Sequence, residues 1–121
     1  MTGPRADKKL DLAVALSHVD GDMQLLAELA ALFLQDYPRL LEEIRGSITN
    51  ADSACLERAA HTLKGRLAFF GIQKAREQAL GLEISGRDQN LAGAGQALAE
   101  IEIEMESILP EFALLSRDQT A

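Results

Sequence analysis

The apolar residues of this chain recur every three or four positions along almost its whole length, which is the spacing of amphipathic helices. The spacing predicts a short first helix after Asp11 and a long second helix after Asp22, each aspartate acting as the N-cap. The apolar positions of the first helix are Leu12, Val14 and Leu16. Those of the second helix are Leu25, Leu29, Phe33, Leu40, Ile44 and Ile48. Pro38 falls inside the second helix, and an interior proline loses a hydrogen bond, so we expect a kink or short break near residues 36–37.

Three further helices are predicted from the same spacing. Asp52 is the expected cap of the third helix, which should end near Phe70, before Gly71. The fourth helix stops at a polar segment, residues 86–89, and its apolar positions are Ile72, Ala75, Ala79, Leu82 and Ile84. Asn90 is the expected cap of the last helix. The apolar stripe of that helix consists of Leu91, Ala94, Leu98, Ile101, Met105, Ile108 and Phe112.

These helices predict an all-α fold. Four substantial helices with short connections bury their apolar faces most economically in an antiparallel up-down four-helix bundle, with the short first helix as a lid on one end. The expected organisation is a flexible N-terminal segment at residues 1–9, a bundle domain at residues 10–115 and a frayed tail at residues 116–121. Because one closed bundle buries all the apolar stripes, we expect a monomer.

Composition and charge narrow the class of protein. The chain has 121 residues, enough for one domain with its own core, and aromatic residues make up only 4%, which suits helices better than strands. The formal net charge of −7 argues against a nucleic-acid-binding protein. We expect no membrane association and a cytoplasmic location, since the chain has no long apolar run and no signal-peptide core. The single cysteine, Cys55, excludes an internal disulfide and a multi-cysteine zinc site.

The third helix contains an unusual pair of residues within the segment AAHTLKGRLAFFG. At about 100° per residue, its core face consists of Leu56, Ala60, Leu63, Leu67 and Phe70. His61 then lies about 140° away from the core direction and points to solvent. Gly65 lies on the same outer side one turn later, although glycine costs roughly 1 kcal/mol relative to alanine inside a helix.

This pairing of histidine and glycine suits a transient phosphate carrier that another protein approaches. An imidazole has a reference pKa of about 6.5, so near neutral pH it is largely uncharged and can take a group covalently. Gly65 and Ala68 keep the surface around the ring clear, and Lys64 can reach an anion carried on it. Two other interpretations stay open: a surface histidine without a role, or a zinc ligand. His18, the other histidine, has no ligand spacing around it, so we predict no metal site.

The same residues resemble a known family. The stretch HTLKG, preceded by LERAA and followed by FFG, resembles the histidine-containing phosphotransfer (HPt) domain of two-component phosphorelays. The matching residues are His61, Leu63, Lys64, Gly65 and Gly71. The resemblance extends to LDLAVALSHVDGDMQLLAELAALFL and to LGLEISGRDQNLAGAGQAL, and so covers most of the chain.

The chain departs from the family pattern directly after the Lys-Gly pair. Many members carry small residues there, whereas this chain has Arg66 and Leu67. We expect Arg66 to be solvated, although it is also a candidate contact with a partner, as is Arg58. Phe69 lies outside the core stripe, and we expect it to pack under a neighbouring helix.

The resemblance implies a phosphocarrier. His61 would accept a phosphoryl group from the aspartate of a response-regulator receiver domain, on the ring nitrogen farther from the backbone, and pass it to the aspartate of a second receiver. A hybrid sensor histidine kinase is a further implied partner. The receiver would supply Mg²⁺, and no cofactor is expected in this chain. No glycine-rich nucleotide loop is visible, so we expect no autonomous kinase activity.

Three alternative functions remain at this stage. The segment LAFFG also resembles the phosphoacceptor domain of chemotaxis-type histidine kinases, which receives its phosphate from an ATPase domain instead of a receiver. An adaptor bundle could dock receivers without being phosphorylated. A helical oligomerisation module could bury its apolar stripes against another chain.

Overall fold

The computed structural model describes residues 9–117, and these residues form five α-helices and no strand. The helices are α1 (Leu12–Ser17), α2 (Met23–Thr49), α3 (Ser53–Phe69), α4 (Gln73–Arg87) and α5 (Ala94–Ser116). Residues 1–8 and 118–121, where most of the flexible segment and the frayed tail are predicted, lie outside the described residues. None of the described helices is long and apolar enough to cross a membrane.

The four long helices pack in the cyclic order α2, α3, α4, α5, with α5 returning to α2. Short connections join successive helices, so each one runs antiparallel to the helix before it. The predicted four-helix bundle with an additional N-terminal helix is therefore confirmed. In this arrangement α3 has α2 on one side and α4 on the other, and its outer face between them is open.

The predicted N-terminal caps of the first three helices and the predicted end of the third helix are also confirmed. The carboxylates of Asp11, Asp22 and Asp52 each accept a hydrogen bond from the backbone N–H three residues later, at 3.0–3.2 Å. Gly71 follows α3 with a φ of +70°, a left-handed conformation that favours glycine. A Cβ atom at Gly71 would also lie 2.6 Å from the Cβ of Asp11. The chain therefore turns sharply at Gly71, directly beneath the start of α1.

No break occurs at Pro38, because α2 continues through it. Pro38 lies on the exposed side of α2. The buried positions of α2 form an unbroken three–four sequence along the helix: Leu26, Ala30, Phe33, Tyr37, Leu40 and Ile44. Burial on both sides of the proline keeps the helix continuous despite the lost hydrogen bond.

Two other expected boundaries were wrong. Asn90 does not cap the last helix, which begins at Ala94 after Gly93; the Asn90 side chain accepts a hydrogen bond from the Ala92 N–H in the preceding turn. The fourth helix was expected to stop at residue 86, but α4 continues to Arg87. These termini are set by packing and by local turns that the apolar spacing does not report.

The core contains all five predicted core residues of α3 and most of the predicted α5 stripe. Leu25, Leu12, Val14 and Ile84 were expected among the apolar faces, but each is substantially exposed. Of the other predicted positions of α2, Phe33, Leu40 and Ile44 are buried, and Leu29 and Ile48 are half-buried. Because α2 contacts both α3 and α5, its buried face is wider than predicted and also includes Leu26, Ala30 and Tyr37. The lid helix α1 buries Ala15 instead of its larger apolar residues.

The lid lies against the end of α3. The backbone N–H of Asp11 donates to the carbonyl of Phe70 at 3.0 Å. The ring of His18 lies 4.8 Å from that of Phe69, and its Nδ1 is 3.0 Å from the Phe69 carbonyl oxygen. These contacts join α1 to the last turn of α3, which is the helix that carries His61.

Candidate functional site

His61 lies on the outer face of α3, as helical geometry predicts, and its side chain is 66% exposed. The ring is not free, however. Its Nδ1 atom lies 2.9 Å from Oε2 of Glu83 on α4. The Glu83 side chain is only 7% exposed, so the ring rests on a carboxylate that is almost buried between α3 and α4. This contact was not predicted from the sequence.

Basic groups surround the Glu83 carboxylate. Lys64 Nζ lies 2.7 Å from its other oxygen, Oε1, and Arg87 Nη2 lies 3.5 Å from Oε2. Lys64 beside Glu83, together with the hydrogen bond to His61, holds the pKa of that carboxyl below its usual value although burial acts in the opposite direction. Glu83 is therefore ionised at neutral pH.

The close approach of α3 and α4 explains why Glu83 reaches the ring. Gly86, one turn after Glu83, is buried against α3, and a Cβ atom there would lie 2.7 Å from the Glu57 nitrogen and from the Ser53 carbonyl oxygen. Only a glycine lets the two backbones come this close. The two helices are antiparallel, so positions later along α3 meet positions earlier along α4. Ser53 and Glu57 meet Gly86, and His61, one turn after Glu57, therefore meets Glu83, one turn before Gly86.

The contact with Glu83 determines the tautomer of the neutral ring. An ionised carboxylate can only accept hydrogen bonds, so we assign the ring proton to Nδ1 of His61. Nε2 then keeps its lone pair, and within residues 9–117 nothing hydrogen-bonds to it. The structure therefore presents a ring nitrogen with a lone pair, on a side chain that is mostly exposed.

The surface next to the ring is clear. Gly65 is exposed, and a Cβ atom placed on it would meet nothing within 4 Å. Ala68, one turn further, is also exposed. Arg58 is exposed as well, and no contact of its side chain is found among the described residues. These three residues lie where the sequence analysis expected them.

Arg66 is partly solvated, with 40% of its side chain exposed, and its guanidinium also forms an ion pair with Asp36 on α2. Asp36 also pairs with Arg39 at 2.8 Å, and the hydrogen bonds from Arg39 and Arg66 hold the pKa of its carboxyl below the usual value. The ion pair was not predicted from α3 alone, because the carboxylate that attracts Arg66 comes from the neighbouring helix.

A groove of about 910 Å³ lies between α2 and α3 beside these ion pairs. Its apolar lining consists of Leu29, Leu32, Phe33, Phe69 and Phe70, and its polar lining includes Asp36, Arg39, Arg66 and His61. Leu32 is 56% exposed and so presents an apolar side chain at the edge of this groove. Phe69 is half-buried: it packs against His18 of the lid and also faces the groove.

One sequence signal could have revealed Glu83. The buried positions of α4 include Ala75, Ala79 and Leu82, and Glu83 lies four residues after Ala79 on the same face. Glutamate is almost never buried without a partner, so its place on this face marks it for attention. Which partner it meets depends on the register of α3 against α4. Among residues 9–117, no group of three or more His, Cys, Asp or Glu side chains is arranged to hold a metal ion.

The chain is similar to known proteins both in sequence and in fold. The sequence model described as "Hpt domain" matches residues 28–110. The crystal structure of histidine-containing phosphotransfer protein B (HptB) from Pseudomonas aeruginosa PAO1 has a similar fold, with a TM-score of 0.82 and 22% sequence identity. The alignment covers 91% of this chain and 96% of that chain. No curated protein matches the sequence significantly.

Proposed function

This chain belongs to the Hpt domain family, the histidine phosphotransfer domains of phosphorelays, and from that premise we propose that His61 carries the phosphoryl group. The observation that carries the proposal is the orientation of the ring. Nδ1 is bound to the nearly buried Glu83 at 2.9 Å, and Nε2 faces outward on a side chain that is 66% exposed. A bundle that only docked receivers would have no need of this arrangement.

The reaction is a reversible transfer between two nucleophiles. Nε2 of His61 attacks the phosphorus of a receiver's phosphoaspartate, the N–P bond forms, and the P–O bond to the aspartate breaks to release a carboxylate. The reverse of this step delivers the group to the aspartate of a second receiver. Phosphoryl transfer depends chiefly on in-line positioning and on neutralisation of charge. This chain contributes the positioned nucleophile, and we expect the receiver to contribute Mg²⁺.

The face around His61 is suited to docking a receiver domain, the partner with which Hpt domains act. Gly65 and Ala68 leave room beside the ring, and the groove between α2 and α3 offers apolar side chains such as Leu32. We propose that the receiver covers this groove and brings its aspartate to Nε2. Arg58 is exposed near the ring and is a candidate contact with the receiver.

Lys64 supports the site through Glu83. Its amino group lies 2.7 Å from Oε1 of that carboxylate, and only 23% of its side chain is exposed. Most of its positive charge is therefore compensated within the protein. We propose that Lys64 stabilises the ionised, correctly placed Glu83, and that it contributes to phosphate neutralisation only secondarily.

Incubation with phosphorylated receiver domains tests this function. Label should appear on the wild-type protein as an acid-labile, base-stable phosphoramidate, and His61→Gln should abolish it without unfolding the bundle, because the ring is exposed. His18→Gln is the matched control and should leave labelling unchanged. Label on His61→Gln would overturn the assignment. Label that arrives only from an ATP-dependent kinase domain, and from no receiver, would instead support the chemotaxis-type alternative.

A further inference from the structure

Glu83 is placed to act on the ring after phosphorylation as well as before it. Its carboxylate binds Nδ1, the nitrogen on the opposite side of the ring from the reacting Nε2. The Lys64 ammonium at 2.7 Å and the Arg87 guanidinium at 3.5 Å hold this carboxylate in place. Nothing in the transfer at Nε2 requires Glu83 to move, so it faces the Nδ1–H group in the free and in the phosphorylated protein.

The proton on Nδ1 determines how easily the phosphoryl group leaves. When Nε2 attacks phosphorus and Nδ1 keeps its proton, the phosphorylated ring carries a positive charge. Cleavage of the N–P bond then returns the electron pair to Nε2 and releases a neutral imidazole, which is a good leaving group. If Nδ1 had lost its proton, the leaving group would be an imidazolide anion, which is a poor one.

We propose that the Glu83 carboxylate retains the Nδ1 proton on phosphorylated His61 and so keeps the phosphoryl group labile for onward transfer. Glu83 is thus a positioning residue whose negative charge adjusts the reactivity of the phosphorylated ring. The inference rests on the proposed function of His61, since it concerns the same ring. It adds that the site favours rapid transfer over long storage of the phosphoryl group.

Among the other charged groups near the ring, carboxylates favour retention of the Nδ1 proton and basic groups oppose it. On α3 these are Glu57, Arg58 and Lys64, and on α4 they are Glu83 and Arg87. On the α2 side, Asp36 forms ion pairs with both Arg39 and Arg66 in the groove. Among the described residues only Glu83 forms a hydrogen bond or ion pair with the ring, so its charge has the largest single effect. Lys64 opposes that effect by compensating the carboxylate.

The test compares the hydrolysis of phosphorylated His61 in the wild type and in Glu83→Gln, labelled with phosphoramidate so that no receiver is needed. Glutamine can still accept the Nδ1–H bond through its amide oxygen, but it carries no charge. We expect the pH at which hydrolysis falls to half its maximum to move down by roughly one unit, since charge-assisted hydrogen bonds are about twice as strong as neutral ones. At mildly alkaline pH, hydrolysis should be roughly tenfold slower.

Two further variants separate charge from structure. Lys64→Met should move the half-maximal pH in the opposite direction, because it removes the cation that compensates Glu83. Glu77→Gln is the matched control: this carboxylate lies on the same helix as Glu83 and is exposed, and among the described residues it pairs with neither the ring nor the basic groups around Glu83, so the profile should be unchanged. Nitrogen-15 NMR of the labelled imidazole should report the Nδ1 proton directly and follow the same order.

The outcomes are distinguishable. Identical pH profiles for wild type and Glu83→Gln would overturn the inference, as would shifts of the same sign in Glu83→Gln and Lys64→Met. A wild-type protein that takes phosphate from phosphoramidate but exchanges it with no receiver would contradict the phosphorelay role and leave the Glu83 result standing. Failure of phosphoramidate to label His61 would overturn both.

Discussion

The two sides of His61 are built differently. On the α4 side, the ring meets a nearly buried carboxylate at 2.9 Å, and the two helix backbones approach closely at Gly86. On the α2 side, an open groove begins, and its polar groups, Asp36 and Arg66, form ion pairs that are partly exposed to water. The first side orients the ring, and the second leaves space. Orientation and access are therefore provided by different neighbours of one helix, and each can be changed without the other.

The largest effect should come from filling the open side of His61, which is the α2 side where the groove begins. Gly65→Leu adds a side chain at an exposed position where a Cβ atom meets nothing within 4 Å, so the protein should melt at or above the wild-type temperature. The same side chain stands beside His61, and a displacement of about 1 Å from attack geometry costs on the order of a hundredfold in rate. We expect exchange with receivers to slow by about that factor while phosphoramidate labelling persists, as measured by transfer assays and thermal melts.

Gly95→Leu is the control for this substitution, since Gly95 is also exposed and open but lies on α5, which is not a neighbour of α3. It should leave receiver exchange unchanged. Wild-type exchange by Gly65→Leu would show that the glycine does not provide access.

The next effect should come from separating α3 and α4 on the closed side of His61, where the ring meets Glu83. Gly86→Ala places a methyl group against the backbone of α3, and such overpacking costs about 1–3 kcal/mol, more than the roughly 1 kcal/mol that alanine gains in helix propensity. We expect a net loss of stability in chemical denaturation and a weaker contact between His61 and Glu83.

Gly81→Ala provides the comparison within the same helix. Gly81 is exposed, and a Cβ atom there meets nothing within 4 Å, so alanine should stabilise α4 by about 1 kcal/mol. Equal effects of the two glycine substitutions would contradict the close approach at Gly86.

Acid should weaken the closed side in a way that Glu83 controls. The pKa of this carboxyl is held below its usual value of 4.5 in the folded protein, so its stabilising contribution is fully present above pH 4.5. That contribution is lost as the pH falls through the folded pKa. Acidification from neutral pH to below pH 4.5 should therefore reduce the stability of Glu83→Gln less than that of the wild type, as measured by melts across that range. A parallel loss in both proteins would mean that Glu83 is not coupled to folding.

The smallest effect is expected on the open side at Arg66. Arg66→Ala removes a partly exposed ion pair, and such pairs contribute little because water and salt screen them. We expect a small decrease in melting temperature at low salt that disappears at high salt. Arg58→Ala, which removes an exposed cation with no contact among the described residues, should show no salt-dependent difference at all. A large loss in Arg66→Ala would show that the pair with Asp36 joins α2 and α3.

The features that depend on one helix at a time could be predicted from the sequence. The repeat of three and four residues predicted five helices, the aspartate caps and the core face of α3, because each follows from the geometry of a single helix. It also placed His61 and Gly65 on the outer surface for the same reason. The resemblance around HTLKG pointed to the phosphotransfer family, to which the chain belongs.

The tertiary structure alone decided which side chains meet across helices. The contacts of Glu83 with His61 and of Arg66 with Asp36 join residues 22 and 30 positions apart, and both depend on the register between helices. That register is set by close contacts such as Gly86 against the backbone of α3, which no repeat of apolar residues encodes. Apolar spacing reports which face of a helix is buried, because burial averages over many contacts. A hydrogen bond depends on the position of one atom, and that position exists only once the helices have packed.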